Sequence, residues 1–86
     1  MRIRVSTHLY AYTNGAEFVE AEGRTAAELL EDLDRVCPGL RFRVVDEQGR
    51  LRQHIHLFLD NRSVRDLSAS LEGVQLVHLL GALSGG

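Results

Sequence analysis

Apolar and polar residues alternate over residues 2–12 of the chain. The apolar members of this alternation are Ile3, Val5 and Leu9. A period of two places successive side chains on opposite faces of an extended backbone, which is typical of a half-buried strand. Thr13-Asn14-Gly15 then predicts a turn, because asparagine and glycine tolerate positive φ. Residues 17–21 are predicted to return as the second strand of a hairpin.

A helical pattern begins at Thr25. Glu28 stands three residues after Thr25, the spacing of a capping box in which two side chains satisfy free backbone N–H groups. Apolar positions then recur at three- and four-residue intervals, at Ala26, Leu29, Leu30, Leu33 and Cys37. This spacing places them on one face of a helix, which Pro38-Gly39 is expected to end.

The second half of the chain predicts more strands. The predicted elements are a short strand at 42–45, a turn at 46–49, a strand at 54–59, an irregular stretch at 63–73 and a last strand at 74–80. The inward positions of the two longer strands are Ile55, Leu57, Leu59, Val77 and Leu79. The whole order predicts an α+β fold, a mixed sheet of four to five strands with one main helix packed on one face. It is the order of the β-grasp, or ubiquitin-like, fold.

Size and composition limit the function further. Eighty-six residues suffice for one modest core but not for a deep catalytic cleft as well, so we expect one domain at residues 1–80, a flexible tail at 81–86 and no enzyme. The net charge of -2 argues against nucleic acid as a partner. No apolar run is long enough to span a membrane, and the single cysteine, Cys37, favours a reducing compartment. A cytoplasmic protein is the expectation.

The chain resembles the small sulfur carriers, which include the thiamin sulfur carrier and the small subunit of molybdopterin synthase. Two segments carry the resemblance. The first is the run from Ile55 to Arg65, IHLFLDNRSVR, which is similar to a strand and turn of that family. The second is the terminal pair Gly85-Gly86. The family often has an Asp-Gly-Asp-rich turn before the last strand and a proline in the tail, and this chain has neither.

The resemblance implies a function for the last residue, Gly86. In the family, an adenylyltransferase similar to ubiquitin-activating enzymes uses ATP to adenylate the terminal carboxylate. A persulfide enzyme or sulfide then supplies sulfur, and the thiocarboxylate passes it to an acceptor synthase. The chain itself is expected to bind no cofactor. Gly85 and Gly86 lack Cβ, which suits a tail that must enter a narrow channel.

A partner surface is predicted on the outward faces of the last two long strands. Strand alternation places Phe58, Leu76, His78 and Leu80 opposite the inward positions, and the family presents this face to its partners. Leu83 and Ser84 in the tail complete the predicted partner-binding set. Exposed apolar patches often mark such surfaces, although a homodimer contact or a cover formed by residues 63–73 would account for the same pattern.

Other candidate sites give weaker signals. His54 and His56 share a strand face, but no third metal ligand accompanies them. Cys37 lies on the apolar helix stripe and is predicted to be a buried hydrophobic residue. The arginines at 41, 43, 50 and 52 are interpreted as a solvated hairpin edge.

Two further functions remain open from the sequence. A protein modifier would use the same activated carboxylate to form an isopeptide bond with lysines of target proteins. The chain has no lysine of its own, so it cannot form lysine-linked chains with itself. A non-covalent interaction domain with an inert tail is the other alternative.

Overall fold

The computed structural model describes residues 1–81, which form one five-stranded sheet with helices packed on it. The elements in chain order are β1 (Arg2–Val5), a 3-10 turn (Thr7–Leu9), α1 (Tyr10–Thr13), β2 (Phe18–Glu20), α2 (Ala26–Val36), α3 (Leu40–Val44), β3 (Ile55–Leu59), β4 (Arg62–Val64) and β5 (Val77–Gly81). The predicted α+β class, with a mixed sheet and one main helix, is confirmed.

The strand order across the sheet is β2-β1-β5-β3-β4. The first and last strands in sequence, β1 and β5, run parallel at the centre, with Ile3 opposite Val77 and Val5 opposite Leu79. The other pairs are antiparallel. The last strand is therefore bonded on both edges, by β1 and by β3.

One face of the sheet packs with the helices into a single core. Side chains at the inward strand positions and on the apolar stripe of α2 belong to one buried cluster. Its largest fully buried members are Ile3, Leu9, Leu29, Leu30, Leu33, Leu40, Leu57 and Leu79. Cys37 is buried in this cluster as predicted, and burial raises the pKa of its thiol.

The capping box predicted for α2 begins the helix. The Thr25 hydroxyl accepts a hydrogen bond from the Glu28 backbone N–H at 3.2 Å. The Glu28 carboxylate accepts from the backbone N–H of Arg24 at 2.9 Å, one residue before the expected partner. The first bond satisfies a backbone N–H that the first helical turn leaves free, and the second satisfies the N–H of the residue before the N-cap.

The prediction of a strand over residues 2–12 was wrong beyond Val5. The chain leaves the sheet there because the Ser6 carbonyl accepts a hydrogen bond from the Leu9 N–H at 3.0 Å, which closes a 3-10 turn. Leu9 is still buried, so the apolar position was correct although the backbone is not extended. The turn at Asn14 and Gly15 is present, with φ of 56° and 83°.

The predicted strand at 42–45 was also wrong, because residues 40–44 form α3. The Asp34 carboxylate accepts hydrogen bonds from the backbone N–H groups of Gly39 and Arg41, at 3.0 and 3.3 Å. Gly39 has φ of 91°, which turns the chain into a new helix. Leu40 and Val44, four residues apart, are both buried, as one face of a helix requires.

The segment predicted as irregular, residues 63–73, begins inside a short strand. β4 pairs with β3 and places Ser63 opposite Phe58. The last strand begins at Val77, later than the predicted residue 74, and it includes Gly81. The strand predicted at 54–59 corresponds to β3, which begins one residue later. Its Ile55, Leu57 and Leu59 are buried, as predicted.

Candidate functional site

The face of the sheet opposite the core carries one row of side chains that crosses all five strands. Register pairs place the row in the order Phe18, Arg4, His78, Phe58 and Ser63. Directly opposed side chains on neighbouring strands lie close enough to touch. The row therefore forms one continuous surface with an aromatic ring near each end and a histidine at its centre.

We call the face of the sheet that carries this row the open face. The predicted partner residues lie on the row or beside it. Phe58 and His78 are direct partners across β3 and β5, and Leu80 is opposite His56 in the same two strands. Leu76 immediately precedes β5. All four predicted residues are half-buried. The apolar patch expected there is therefore a partly accessible surface shared with histidine and arginine side chains.

The β2 and β1 side of the open face carries charge. The Arg4 guanidinium donates to the Glu17 carboxylate at 2.8 Å, and both groups are exposed. The Arg2 guanidinium lies 3.9 Å from the centre of the Phe18 ring, a cation–π distance. Phe18 is one of three large apolar side chains among residues 1–81 that are exposed. Sequence reasoning missed this side of the face, because β2 could be placed on the sheet but its register with β1 could not.

The end of β5 is held from both sides. Gly81 pairs with Ile55 of β3. On the other edge, the Gly81 N–H donates to the Ser6 hydroxyl at 2.8 Å, and that hydroxyl lies 3.4 Å from the Gly81 carbonyl oxygen. Gly81 itself is buried. No sequence signal pointed to Ser6, since its partner is 75 residues away along the chain.

The four tail residues predicted to act in transfer or binding, Leu83, Ser84, Gly85 and Gly86, lie outside the described residues. Their predicted roles stay predictions. So does the assignment of the tail to residues 81–86, of which only Gly81 is described, as the last residue of β5.

The family-like run from Ile55 to Arg65 has structural roles at two of its polar positions. The Arg65 guanidinium donates to the backbone carbonyls of Ile55, Leu51 and Arg52, at 2.8, 3.0 and 2.8 Å. Asp60 adopts a positive φ of 56° and bonds to the segment before β5. These residues position the strands beneath the open face rather than forming part of it.

The arginine cluster is arranged differently from the predicted hairpin edge. Arg41 and Arg43 lie on α3, and Arg50 and Arg52 follow the turn at 46–49. Arg52 donates to the Phe42 carbonyl at 2.9 Å, and its guanidinium lies 5.1 Å from the centre of the exposed Phe42 ring.

Within residues 1–81, no cluster of three metal-binding side chains is found, so His54 and His56 gain no third ligand there. No helix in the same range is long and apolar enough to cross a membrane.

Comparison with solved structures places the fold. Over 99% of its length the chain superimposes with a TM-score of 0.87 and 28% identity on 98% of a chain in the Amycolatopsis orientalis BexX/CysO complex. The chain is a ubiquitin-like β-grasp protein. Mycobacterium tuberculosis CysO matches 95% of this β-grasp chain over 98% of its own, with a TM-score of 0.86 and 24% identity.

The modifier SAMP1 of Haloferax volcanii also shares the β-grasp fold. It matches 100% of this chain over 98% of its own, with a TM-score of 0.77 and 24% identity. No protein-family model and no curated protein sequence matches the chain. The structural neighbours are small ubiquitin-like proteins consistent with a MoaD/ThiS-like family, so the resemblance drawn from the sequence is confirmed.

Proposed function

We propose that this ubiquitin-like protein is a sulfur carrier that donates sulfur from a thiocarboxylate on Gly86 to a biosynthetic pathway. The observation that carries the proposal is the pair Gly85-Gly86, four and five residues beyond the end of β5. The domain that bears the pair is similar over nearly its whole length to a chain of the BexX/CysO complex. The chain acts as a co-substrate, and its partners supply the catalysis.

The chemistry needs an activating step. A terminal carboxylate, with a pKa of about 3.3 to 3.7, is ionised at neutral pH and is a poor electrophile. An adenylyltransferase similar to ubiquitin-activating enzymes joins the carboxylate oxygen to the α-phosphate of ATP and releases pyrophosphate. Hydrosulfide then attacks the acyl carbon and AMP leaves. The carbon exchanges a bond to oxygen for a bond to sulfur, and its oxidation state does not change. A persulfide donor performs the same displacement but needs a thiol to release the thiocarboxylate afterwards.

The position of Gly81 limits where the partner's active site can lie. The proposed reacting residue, Gly86, lies five residues after Gly81, and five residues span at most about 18 Å when fully extended. The adenylation site must therefore lie within that distance of the end of β5 in the complex. The open face is close to this end. Leu80 directly precedes Gly81, and His56, which lies opposite Leu80, directly follows Ile55, the partner of Gly81. We propose the open face as the surface that docks on the activating enzyme and on the acceptor synthase.

The experiment is an intact-mass measurement of the carrier after incubation with an adenylyltransferase of this class, ATP and sulfide. We expect one oxygen to be exchanged for one sulfur, and the exchange to require ATP. A variant lacking Gly86 is the matched control and should not be converted, with circular dichroism showing that it is folded.

Other outcomes separate the alternatives. Exchange that survives deletion of Gly86, or no exchange with an enzyme shown to be active on another carrier, would contradict the proposal. Covalent adducts on lysines of other proteins, formed in place of the thiocarboxylate, would identify a modifier. The recipients to be tested are the biosyntheses of molybdopterin, thiamin, cysteine and natural products.

A further inference from the structure

Ser6 stands where a helix-capping serine would stand, but its hydroxyl is used elsewhere. Ser6 precedes the 3-10 turn Thr7–Leu9 in an extended conformation, with φ of -78° and ψ of 164°. A serine at such a position usually accepts a hydrogen bond from an N–H in the first turn. Within the described chain Ser6 makes no such bond, and its hydroxyl bonds to Gly81 instead.

The bond to Gly81 continues the β1–β5 ladder by one step. The Ser6 N–H donates to the Leu79 carbonyl at 3.1 Å, as in a regular parallel pair. The next bond of a regular ladder would run from the Gly81 N–H to the Ser6 carbonyl. That carbonyl already accepts the Leu9 N–H at 3.0 Å in the 3-10 turn. The Ser6 side chain therefore replaces its own backbone carbonyl as the acceptor for Gly81.

Gly81 is enclosed as well as bonded. A Cβ on Gly81 would lie 3.4 Å from the Cβ of His8 and 3.6 Å from side-chain atoms of both Ile55 and Leu9. The last two residues of the 3-10 turn and the first residue of β3 thus close around this glycine. Its backbone has one hydrogen-bonded strand on one side and the Ser6 hydroxyl on the other.

We infer that Ser6 is a positioning residue for the acyl chemistry at Gly86, an inference that rests on the proposed function. Its hydroxyl keeps β5 paired through Gly81, and so fixes the backbone position from which residues 82–86 start. Without that acceptor the last pair on the β1 side is lost, and the starting point of the tail acquires extra freedom. The docked carrier then places its carboxylate in the adenylation site in a smaller fraction of complexes.

The test compares Ser6→Ala with Ser6→Thr, which keeps a hydroxyl on an extended residue, and with Thr7→Ala. Thr7 is exposed in the same turn and its side chain makes no hydrogen bond within residues 1–81. Two quantities are measured for each variant and for the wild type. One is the exchange rate of the Gly81 amide hydrogen, followed by NMR. The other is the kcat and KM of thiocarboxylate formation, well below the melting temperature of the least stable variant.

In Ser6→Ala we expect Gly81 exchange to become about five- to tenfold faster, as loss of one hydrogen bond implies. We expect kcat to fall several-fold with KM unchanged, because the open face that docks is intact. Ser6→Thr should restore both quantities, and Thr7→Ala should alter neither. A merely structural role would lower the melting temperature and leave kcat unchanged.

The inference is overturned if Ser6→Ala exchanges Gly81 at the wild-type rate, or if it is converted with wild-type kcat. In the second case the proposed function stands, because the carrier is still converted. If the wild type is not converted at all, the proposed function fails and takes the role in transfer with it. The amide exchange rate then shows separately whether the Ser6 hydroxyl holds Gly81.

Discussion

Asp60 and Leu76 are joined by a reciprocal pair of hydrogen bonds. The Asp60 N–H donates to the Leu76 carbonyl at 2.9 Å, and the Asp60 carboxylate accepts the Leu76 N–H at 3.0 Å. The same carboxylate accepts the N–H of Gln75 at 3.0 Å. The turn after β3 is thereby tied to the residue that leads into β5, and Leu76 is held at the margin of the open face.

Replacing Asp60 should destabilise the fold. Asp60→Ala removes two hydrogen bonds to a charged acceptor and places an alanine at φ of 56°, so we expect the free energy of unfolding to fall by about 2 to 4 kcal/mol. Asp60→Asn keeps an acceptor oxygen and tolerates this φ, and should lose less than half as much. Urea denaturation measures both. Losses of equal size in the two variants would contradict this prediction, because the acceptor oxygen kept by asparagine would then make no difference.

The open face should control recognition by the activating enzyme. Phe58→Ala removes the half-buried ring beside His78, and we expect KM for the carrier to rise about tenfold or more, as for a central interface aromatic. Phe42→Ala is the matched control, because Phe42 is a phenylalanine on α3, 67% exposed and off the sheet. Steady-state kinetics of adenylation, with circular dichroism to show folding, decide the matter. A rise in KM for Phe42→Ala alone would move the docking surface to α3.

Arg65 should be irreplaceable by lysine. Its guanidinium donates to three backbone carbonyls through two nitrogen atoms, a geometry that a single ammonium group cannot reproduce. We expect Arg65→Lys to lower the free energy of unfolding by about 1 to 3 kcal/mol. Arg62→Lys is the control, since Arg62 is exposed on β4 and no side-chain hydrogen bond of it is found within residues 1–81. The measurement is the urea midpoint, and similar midpoints for the two variants would refute the role.

Two substitutions distinguish the helix α3 from the strand that the sequence predicted at 42–45. Leu40 is fully buried and Phe42 is exposed, so Leu40→Ala should cost about 2 to 5 kcal/mol in the free energy of unfolding. Phe42→Ala should change it by only about 0.5 kcal/mol. A strand at 42–45 would bury alternate residues and would make Phe42 or its neighbours sensitive. Thermal or urea unfolding of the two variants distinguishes the two arrangements.

Stability should decrease in acid partly through Asp32. The hydrogen bond from the Arg35 side chain, and then that from the Glu22 backbone N–H, hold the pKa of Asp32 below its usual value. A carboxyl whose pKa is lowered by folding stabilises the folded state above its unfolded pKa of about 3.9. That stabilisation is lost as pH falls through the folded pKa.

The measurement is the urea midpoint of the wild type and of Asp32→Asn between about pH 7 and pH 2.5. We expect the wild type to be the more stable protein at neutral pH and the difference to disappear in acid. Asp46, whose pKa the Arg50 backbone N–H lowers, acts in the same direction, so only the difference between the two proteins isolates Asp32. Glu31→Gln, an exposed neighbour on α2, is the control. A difference that does not change with pH would contradict the prediction.

The fold was largely predictable where burial follows one regular period. Ile55, Leu57 and Leu59 alternate with polar or half-buried residues along the whole of β3, and the α2 stripe repeats over three turns. Local pattern failed at 42–45. Val44 and Val45 favour a strand by propensity, but the Asp34 carboxylate and the positive φ of Gly39 begin a helix there. Those contacts come from a preceding helix and are not visible in the local sequence.

The candidate site was predictable in its outward residues and not in its connections. Alternation in the last two long strands was sufficient to place Phe58 and His78 on one face. The parallel register of β1 with β5, however, joins the two ends of the chain, and no local pattern specifies it. Arg4, Phe18 and Ser6 enter the site only through that register and the β1–β2 pairing. They were therefore missed.

The central position of β5 has a mechanical consequence. A partner that pulls on the chain beyond Gly81 applies force along the axis of β5. This strand is hydrogen-bonded to β1 on one edge and to β3 on the other. Such traction shears both ladders at once, so their bonds share the load instead of opening one after another from an end. We therefore expect the domain to resist unfolding when a partner pulls on its last strand.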